Sequence, residues 1–313
     1  MRAFFSLLVT VLVLTSCNDG DIITTELDFD NTYKACGDLV LYKTKTSPNE
    51  SLSLQLTGVD LETFFETQPI EPGSLLVELV LIQQPTITIN GTTNRFNYRT
   101  YNTEPVNLFC NDIPPANPGV TNDYSSNVGT VLFTTNLVED DNDGIPAAFE
   151  DENLDGDNDP STMPTDTDGD GLPNYLDPDD DGDNVNTSTE NPNYSVELGL
   201  SDAQDTDGDG TPDYLDTDDD ADDVLTRNEE SISQNNNPTD DITNSAVGPD
   251  YLNAEVAESF TTTTYKAHTI RQEFSIQLVL SGIVLPVLIQ DTLDFGFLDS
   301  PITSKTRTVT PTF

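Results

Sequence analysis

Between Glu139 and Glu229, acidic side chains recur at alternate positions and an Asp or Glu closes each unit. Asp166, Asp168 and Asp170 lead into Gly171 and, at the twelfth position, Asp177. Asp205, Asp207, Asp209, Gly210 and Asp216 repeat this 39 residues later, and Glu139, Asp141, Asp143, Gly144 and Glu150 form an earlier copy. A second loop type follows each later copy. Asp179, Asp181, Asp183 and Glu190 form one, and Asp218, Asp220, Asp222 and Glu229 form the other at the same offset. Asn184 or Asp223 takes the turn position there, and both residue types tolerate positive φ. Asp151, Asn153, Asp155 and Asp157 make a partial sixth unit. Oxygens from positions 1, 3, 5 and 12 around a sharp turn enclose a hard cation. The pattern points to Ca²⁺, about five or six ions, with Mg²⁺ a poor substitute because it demands an octahedron and keeps its waters.

The flanking helices of an EF-hand have no room here. Asp177 closes one loop, Asp179 opens the next, and Pro146, Pro173 and Pro212 occupy position 8. The D-x-D-x-D-G units resemble thrombospondin type 3 repeats over roughly residues 139–229. That resemblance implies a calcium-dependent, helix-poor arm. The family usually carries cysteines between its loops, and this stretch has none, so cations alone must hold it.

Charge agrees with this. The net charge is −46, with 57 acids against 11 Lys and Arg. More than half of the acids lie between Glu139 and Asp241, where Arg227 is the only base. Nucleic acid is excluded as a partner, because its phosphates would be repelled. Apolar anchors in the arm are sparse: Phe149, Tyr175-Leu176 and Tyr214-Leu215 precede closing acids, and Pro249-Asp250-Tyr251-Leu252 repeats the phrase as a terminal cap. They cannot offset an ordering entropy of roughly 1–2 kcal/mol per residue. Folding of the arm is therefore expected to be linked to Ca²⁺. The alternative is a solvated, disordered acidic linker.

The elements that must carry the arm are β-like. Leu52, Leu54 and Leu56 alternate with polar residues, as do Phe96, Tyr98 and Thr100. Leu75 to Ile82 reads as a strand buried on both faces, and Val128 to Leu137 as another. Asn90-Gly91 reads as a hairpin turn, and only Leu61 to Thr67 hints at a helix. After the arm, Phe274, Ile276, Leu278 and Leu280 alternate, then Ile283–Ile289 and Leu293–Leu298 follow, with Pro286 marking an edge. The last 50 or so residues are too few for their own core. The expected fold is mostly β, a β-sandwich of N- and C-terminal strands with the helix-poor arm inserted. Its expected parts are a leader and lipobox (1–17), a tether (18–35), the first part of the sandwich (36–138), the repeats (139–253) and the completing strands (259–313). Similar wording around Tyr42 and Tyr265 leaves open whether two related β units are present.

Met1-Arg2 and an apolar run from Ala3 to Leu14 end in Leu14-Thr15-Ser16-Cys17. This resembles the lipobox of bacterial lipoproteins. It implies cleavage before Cys17, lipid on Cys17 and attachment to a membrane. Asn18-Asp19-Gly20-Asp21 looks like the surface-export signal of Bacteroidetes lipoproteins, which implies the outer membrane and cell surface. Cys36 and Cys110 remain, in a protein sent to an oxidising compartment, and are expected to form a disulfide; two separate thiols are the alternative. No nucleophile motif or phosphate loop is present, and the lone histidine, His268, reads as an exposed strand residue. The expectation is a non-enzymatic, calcium-binding surface lipoprotein with a structural or interaction role. A glycan- or protein-binding adhesin is the alternative, followed by an enzyme on the β scaffold.

Overall fold

A computed structural model describes residues 27–37, 40–113, 115–150 and 159–312. Cys17 and the partial unit Asp151, Asn153, Asp155 and Asp157 lie outside the described residues. Twelve strands are present among those described: β1 (Thr32–Cys36), β2 (Val40–Thr46), β3 (Asn49–Gln55), β4 (Thr67–Pro69), β5 (Val77–Leu79), β6 (Ile87–Thr88), β7 (Arg95–Tyr101), β8 (Val120–Ser126), β9 (Thr130–Asp140), β10 (His268–Leu285), β11 (Leu288–Leu298) and β12 (Ser304–Val309). The fold is mostly β and sandwich-like.

Pairing runs β6-β9-β10-β11-β1-β2-β3-β7-β8, with β12 on β10. The turn from one layer to the other is made by β1. Thr32 and Tyr33 pair parallel with β11, whereas Lys34, Ala35 and Cys36 pair antiparallel with β2. Residues 32–35, read as tether, are thus a strand. Inward-facing Leu52, Leu54 and Phe96 of one layer meet Phe133, Ile276, Leu278 and Phe295 of the other in one buried core. A single 3-10 helix, Leu61–Phe65, plugs the core. Asp60 caps it by accepting from the Glu62 N–H. Its Phe64 packs 4.9 Å from Phe133, and Phe65 meets Phe274 edge-on at 5.1 Å.

A bulge beside Phe295 fits β1 in place. The β10–β11 register shifts between Leu278 and Val279, the local kink expected of an extra residue. Gly296 has φ +88°, and a Cβ there would sit 2.3 Å from the Asn31 carbonyl oxygen. That close approach lets the Phe297 N–H donate to the same oxygen at 3.0 Å.

Three local readings change. Leu75 to Ile82 contributes only the short strand β5, paired with β4 in a separate two-stranded ribbon, and Val80, Leu81 and Ile82 are exposed. Asn90-Gly91 does not close a hairpin, since β6 pairs with β9 while β7 pairs with β3. Asn90 Oδ1 instead accepts from the Thr92, Thr93 and Asn94 N–H groups, turning the chain from one layer to the other. Pro286 lies in the two-residue link of a hairpin, with Leu285 opposite Leu288. The apolar run was therefore two strands, a distinction that composition alone cannot make.

The acidic stretch leaves and returns through neighbours. β9 and β10 pair over eleven registered positions from Arg271/Asp140 to Ser281/Thr130, so the arm leaves and returns at one end of the sheet. Glu139 anchors that root. Its carboxylate pairs with Arg307 at 2.6 Å and accepts from Gln272 Nε2 at 2.9 Å. Beside it Leu172, Leu176 and Ile270 form a second buried apolar cluster.

Cys36 and Cys110 are bonded, their Cα atoms 5.1 Å apart, which ties the end of β1 to the long β7–β8 connection. The bond closes a loop with a sequence separation of 74 residues; by loop-closure entropy, reduction should lower stability by roughly 2–4 kcal/mol. Denaturant melts with and without reductant will show that loss. Denatured, unreduced protein should yield no labelled thiol at Cys36 or Cys110, and labelling of both would contradict the bridge.

Candidate metal centres

The loops of the arm share one local plan. Position 6 requires positive φ, and Gly171, Gly210, Gly144, Asn184 and Asp223 all have it. Each proline at position 8 precedes a single 3-10 turn: Ala147–Phe149, Asn174–Leu176 and Asp213–Leu215. Proline suits this place because its φ is preset and its missing N–H has no role at a helix start. The first residue of the 3-10 turn then staples the loop. Asn174 Oδ1 accepts from the Thr167 N–H and Asp213 Oδ1 from the Thr206 N–H. In the second loop type the Thr187 and Thr226 hydroxyls accept from the Asp180 and Asp219 N–H groups. The cap repeats the staple, with Asp250 Oδ1 accepting from the Thr243 N–H.

Carboxylates at positions 1, 3 and 5 are oriented by the same backbone. Asp166 accepts from the Gly169 and Gly171 N–H groups, Asp179 from Asp183 and Asn184, and Asp205 from Gly208 and Gly210. Position 3 turns Oδ1 to the N–H of position 5, and position 5 turns Oδ1 to the N–H of position 7. Asp141, Asp168, Asp181, Asp207 and Asp220 do the first. Asp143, Asp170, Asp183, Asp209 and Asp222 do the second. The other oxygen is left over. Oδ2 of Asp141, Asp143, Asp168, Asp170, Asp181, Asp183, Asp220 and Asp222 is buried with no hydrogen-bond partner, as are both carboxylate oxygens of Glu150, Glu190 and Glu229.

The acids of each loop bring oxygens together. In each of several groups the candidate ligand atoms lie within 4.8 Å of one another: Asp141, Asp143 and Glu150; Asp166, Asp168 and Asp170; Asp205, Asp207 and Asp209. Oxygens on opposite sides of a cation bound at 2.3–2.6 Å are about 5 Å apart, so the spacing suits one ion at the centre. Glu139 does not join the first group, because Arg307 and Gln272 hold it at the sheet edge. Asp216 and Asp218 are only half-buried, and each is used in part by the backbone, Asp216 Oδ1 accepting from the Asp218 N–H.

Three participants fall outside the spacing rule. Asp219 brings a carboxylate into a group with Asp181, Asp183 and Glu190. Asp180 is as buried as Asp219, and its strongest charge neighbours are Glu150, Asp141 and Asp143. The available signal was the triple acid Asp179-Asp180-Asp181 and its repeat Asp218-Asp219-Asp220, at the position where the first loop type has Thr167 or Thr206. The third is His268. It is 3 % exposed, not a surface residue, and its Nδ1 lies 2.6 Å from Asp177 Oδ1, with Asp170 in the same group. Burial opposes its charge, but the hydrogen bond to Asp177 and the charges of Asp177, Asp179 and Asp170 raise its pKa above the usual value.

Burial and mutual repulsion push the acids up. Asp141 rises to about 10, through desolvation and then the charges of Glu150 and Asp143. Glu150 rises to about 9, Asp219 to about 10 and Glu229 to about 9, each chiefly by desolvation. Asp181, Asp183 and Glu190 go well above the ordinary carboxylate range for the same reason. Among the described residues the centre has little internal positive charge. Lys266 reaches in, donating to the Asn184 carbonyl and, at 3.0 Å, to Asn237 Oδ1, and burial lowers its pKa. A set of all-oxygen, unpartnered, mutually repelling groups at this spacing fits a hard divalent cation.

A family model described as BamM C-terminal matches residues 140–203, which begin at the arm's root and run through three of the loops. It spans a minor part of the chain and marks a similarity of the arm. No curated protein and no solved structure matches the chain.

The raised pKa values set a sign. Without cations, Asp141 and Glu150 keep protons when folded and lose them near pH 4 when unfolded. The folded state then binds more protons across that window. Ion-free stability is therefore full below about pH 4 and declines as pH rises toward about 9–10. Thermal melts in chelator should show midpoints falling from pH 5 to pH 9, and saturating metal should abolish that decline, because bound carboxylates are already deprotonated. A chelated protein whose midpoint rises over this range would contradict the buried, unneutralised acids.

Proposed function

We propose that this chain is a calcium-binding lipoprotein of the bacterial outer membrane and cell surface, with a structural or interaction role. Calcium orders the arm, and the β head carries it. The observation that bears most of the weight is the set of unpartnered, buried oxygens on Asp141, Asp143, Glu150, Asp181, Asp183 and Glu190. Unpaired buried carboxylates cost several kcal/mol each. Calcium suits them better than zinc, which favours nitrogen and sulfur ligands, and better than Mg²⁺, which would need closer oxygens and retained water.

The thrombospondin type 3-like spacing supports the same ion. The similarity of residues 140–203 to an outer-membrane-related family supports the location, together with the Leu14-Thr15-Ser16-Cys17 sequence. Lipid on Cys17 would hold the head at the membrane, since several acyl chains on one residue anchor far better than one.

Calcium titration of the soluble chain from Asn18 onward, with near-millimolar Ca²⁺ as the upper range, should protect residues 141–267 from proteases and change the circular dichroism of the arm. The β head should stay folded in chelator. Protease sensitivity unchanged at millimolar Ca²⁺ would overturn the reading, and protection by Mg²⁺ at equal concentration would remove the case for calcium.

A further inference from the structure

The second aspartate of the loop 218–229 serves another loop. The Asp219 main chain is fixed to its own loop by the bond from its N–H to Thr226 Oγ1 at 3.3 Å. Its side chain lies with Asp181, Asp183 and Glu190, one ligand atom from each within 4.8 Å of the others. The four residues are each buried to 2 % exposure or less. Both Asp219 oxygens, both Glu190 oxygens and Oδ2 of Asp181 and Asp183 have no hydrogen-bond partner.

Asp180, at the matching position 39 residues earlier, is buried near an acid group, although the group of Asp141, Asp143 and Glu150 closes without it. The Asp180 N–H donates to Thr187 Oγ1 at 3.1 Å, both Asp180 side-chain oxygens are unpartnered, and the strongest charges on it are those of Glu150, Asp141 and Asp143. Asp219 thus shares the space of the preceding acid group that closes in a glutamate, whereas Asp180 is only near one. The series then ends. The last such group, closed by Glu229, meets the cap instead, where Asp220 takes a backbone hydrogen bond from Asn253.

We propose that Asp219 is a cation ligand supplied across loops, so that one ion held by Asp181, Asp183, Glu190 and Asp219 clamps together two loops 39 residues apart. This deepens the calcium reading and rests on it. Ligand charge and rigidity set the affinity of such sites, and buried charges are screened little by salt. The two-loop site therefore fills before the exposed single-loop group of Asp205, Asp207 and Asp209. Its filling is the step that fixes these loops to one another.

Terbium luminescence can read this directly. The chain has no tryptophan, and buried Tyr251 feels the charges of Glu190 and Asp219, so tyrosine sensitises an ion at the two-loop site. In the wild-type protein, sensitised Tb³⁺ emission should rise in a tight phase that Ca²⁺ displaces. D219N should weaken that phase at least tenfold and raise by a similar factor the Ca²⁺ needed to protect residues 191–204 from proteolysis. E197Q, at an exposed acid of the arm outside the loop positions, should leave the tight phase intact. A tight phase unchanged in D219N, in a protein that binds Ca²⁺, would overturn the cross-loop ligand alone. A wild-type protein that binds neither Tb³⁺ nor Ca²⁺ would overturn the calcium reading and this inference with it.

Discussion

A carboxylate removed from water must find a proton, a donor or a cation, and this constraint governs the arm. Residues 177–185 are buried throughout, yet they include Asp177, Asp179, Asp180, Asp181 and Asp183. Apolar packing does not explain that burial, because the arm's apolar cluster amounts to Leu172, Leu176 and their neighbours on the sheet. The backbone N–H groups use about half of the available oxygens, and the remainder point at one another. The centre of the arm is organised around space for positive charge, as an ordinary domain is organised around hydrocarbon.

The β sandwich contributes a fixed root to this. Because β9 and β10 are hydrogen-bonded neighbours, the arm begins and ends at adjacent points. Arg307 neutralises Glu139 there while Gln272 donates to it, and Ile270 of β10 packs on the loops. The returning chain is also part of the arm. Asn228 accepts from the Phe260 and Thr262 N–H groups, and Asn184 from Lys266. The exit segment thus laces the loops before it becomes β10, where His268 turns its ring to Asp177.

Much of this was legible in one dimension, for a local reason. Loops of this kind are encoded within twelve residues, so alternation at Asp181 and Asp183 and positive φ at Asn184 can be read by counting. Period-2 alternation likewise marked β3, β7 and β10. Runs without alternation were misread: Leu75–Ile82 is a half-exposed ribbon, and Ile283–Ile289 spans a hairpin. Asn90-Gly91 has hairpin chemistry but joins two layers, because a turn dictates local direction and leaves the partner strand undetermined. Glu139 fits the loop by spacing, yet its place at the end of β9 gives it to Arg307.

What the sequence determined by itself is everything that depends on near neighbours: the loop conformation, the acid spacing, the 3-10 turns behind their prolines and the mostly β character of the flanks. Tertiary structure alone decided which carboxylates share a space. Asp219 meets Glu190, Asp180 nears Glu150, and His268 meets Asp177 across long stretches of chain. The reason is electrostatic and geometric. A cation is indifferent to sequence distance, and any oxygen that folding brings within about 5 Å of the others competes for it equally.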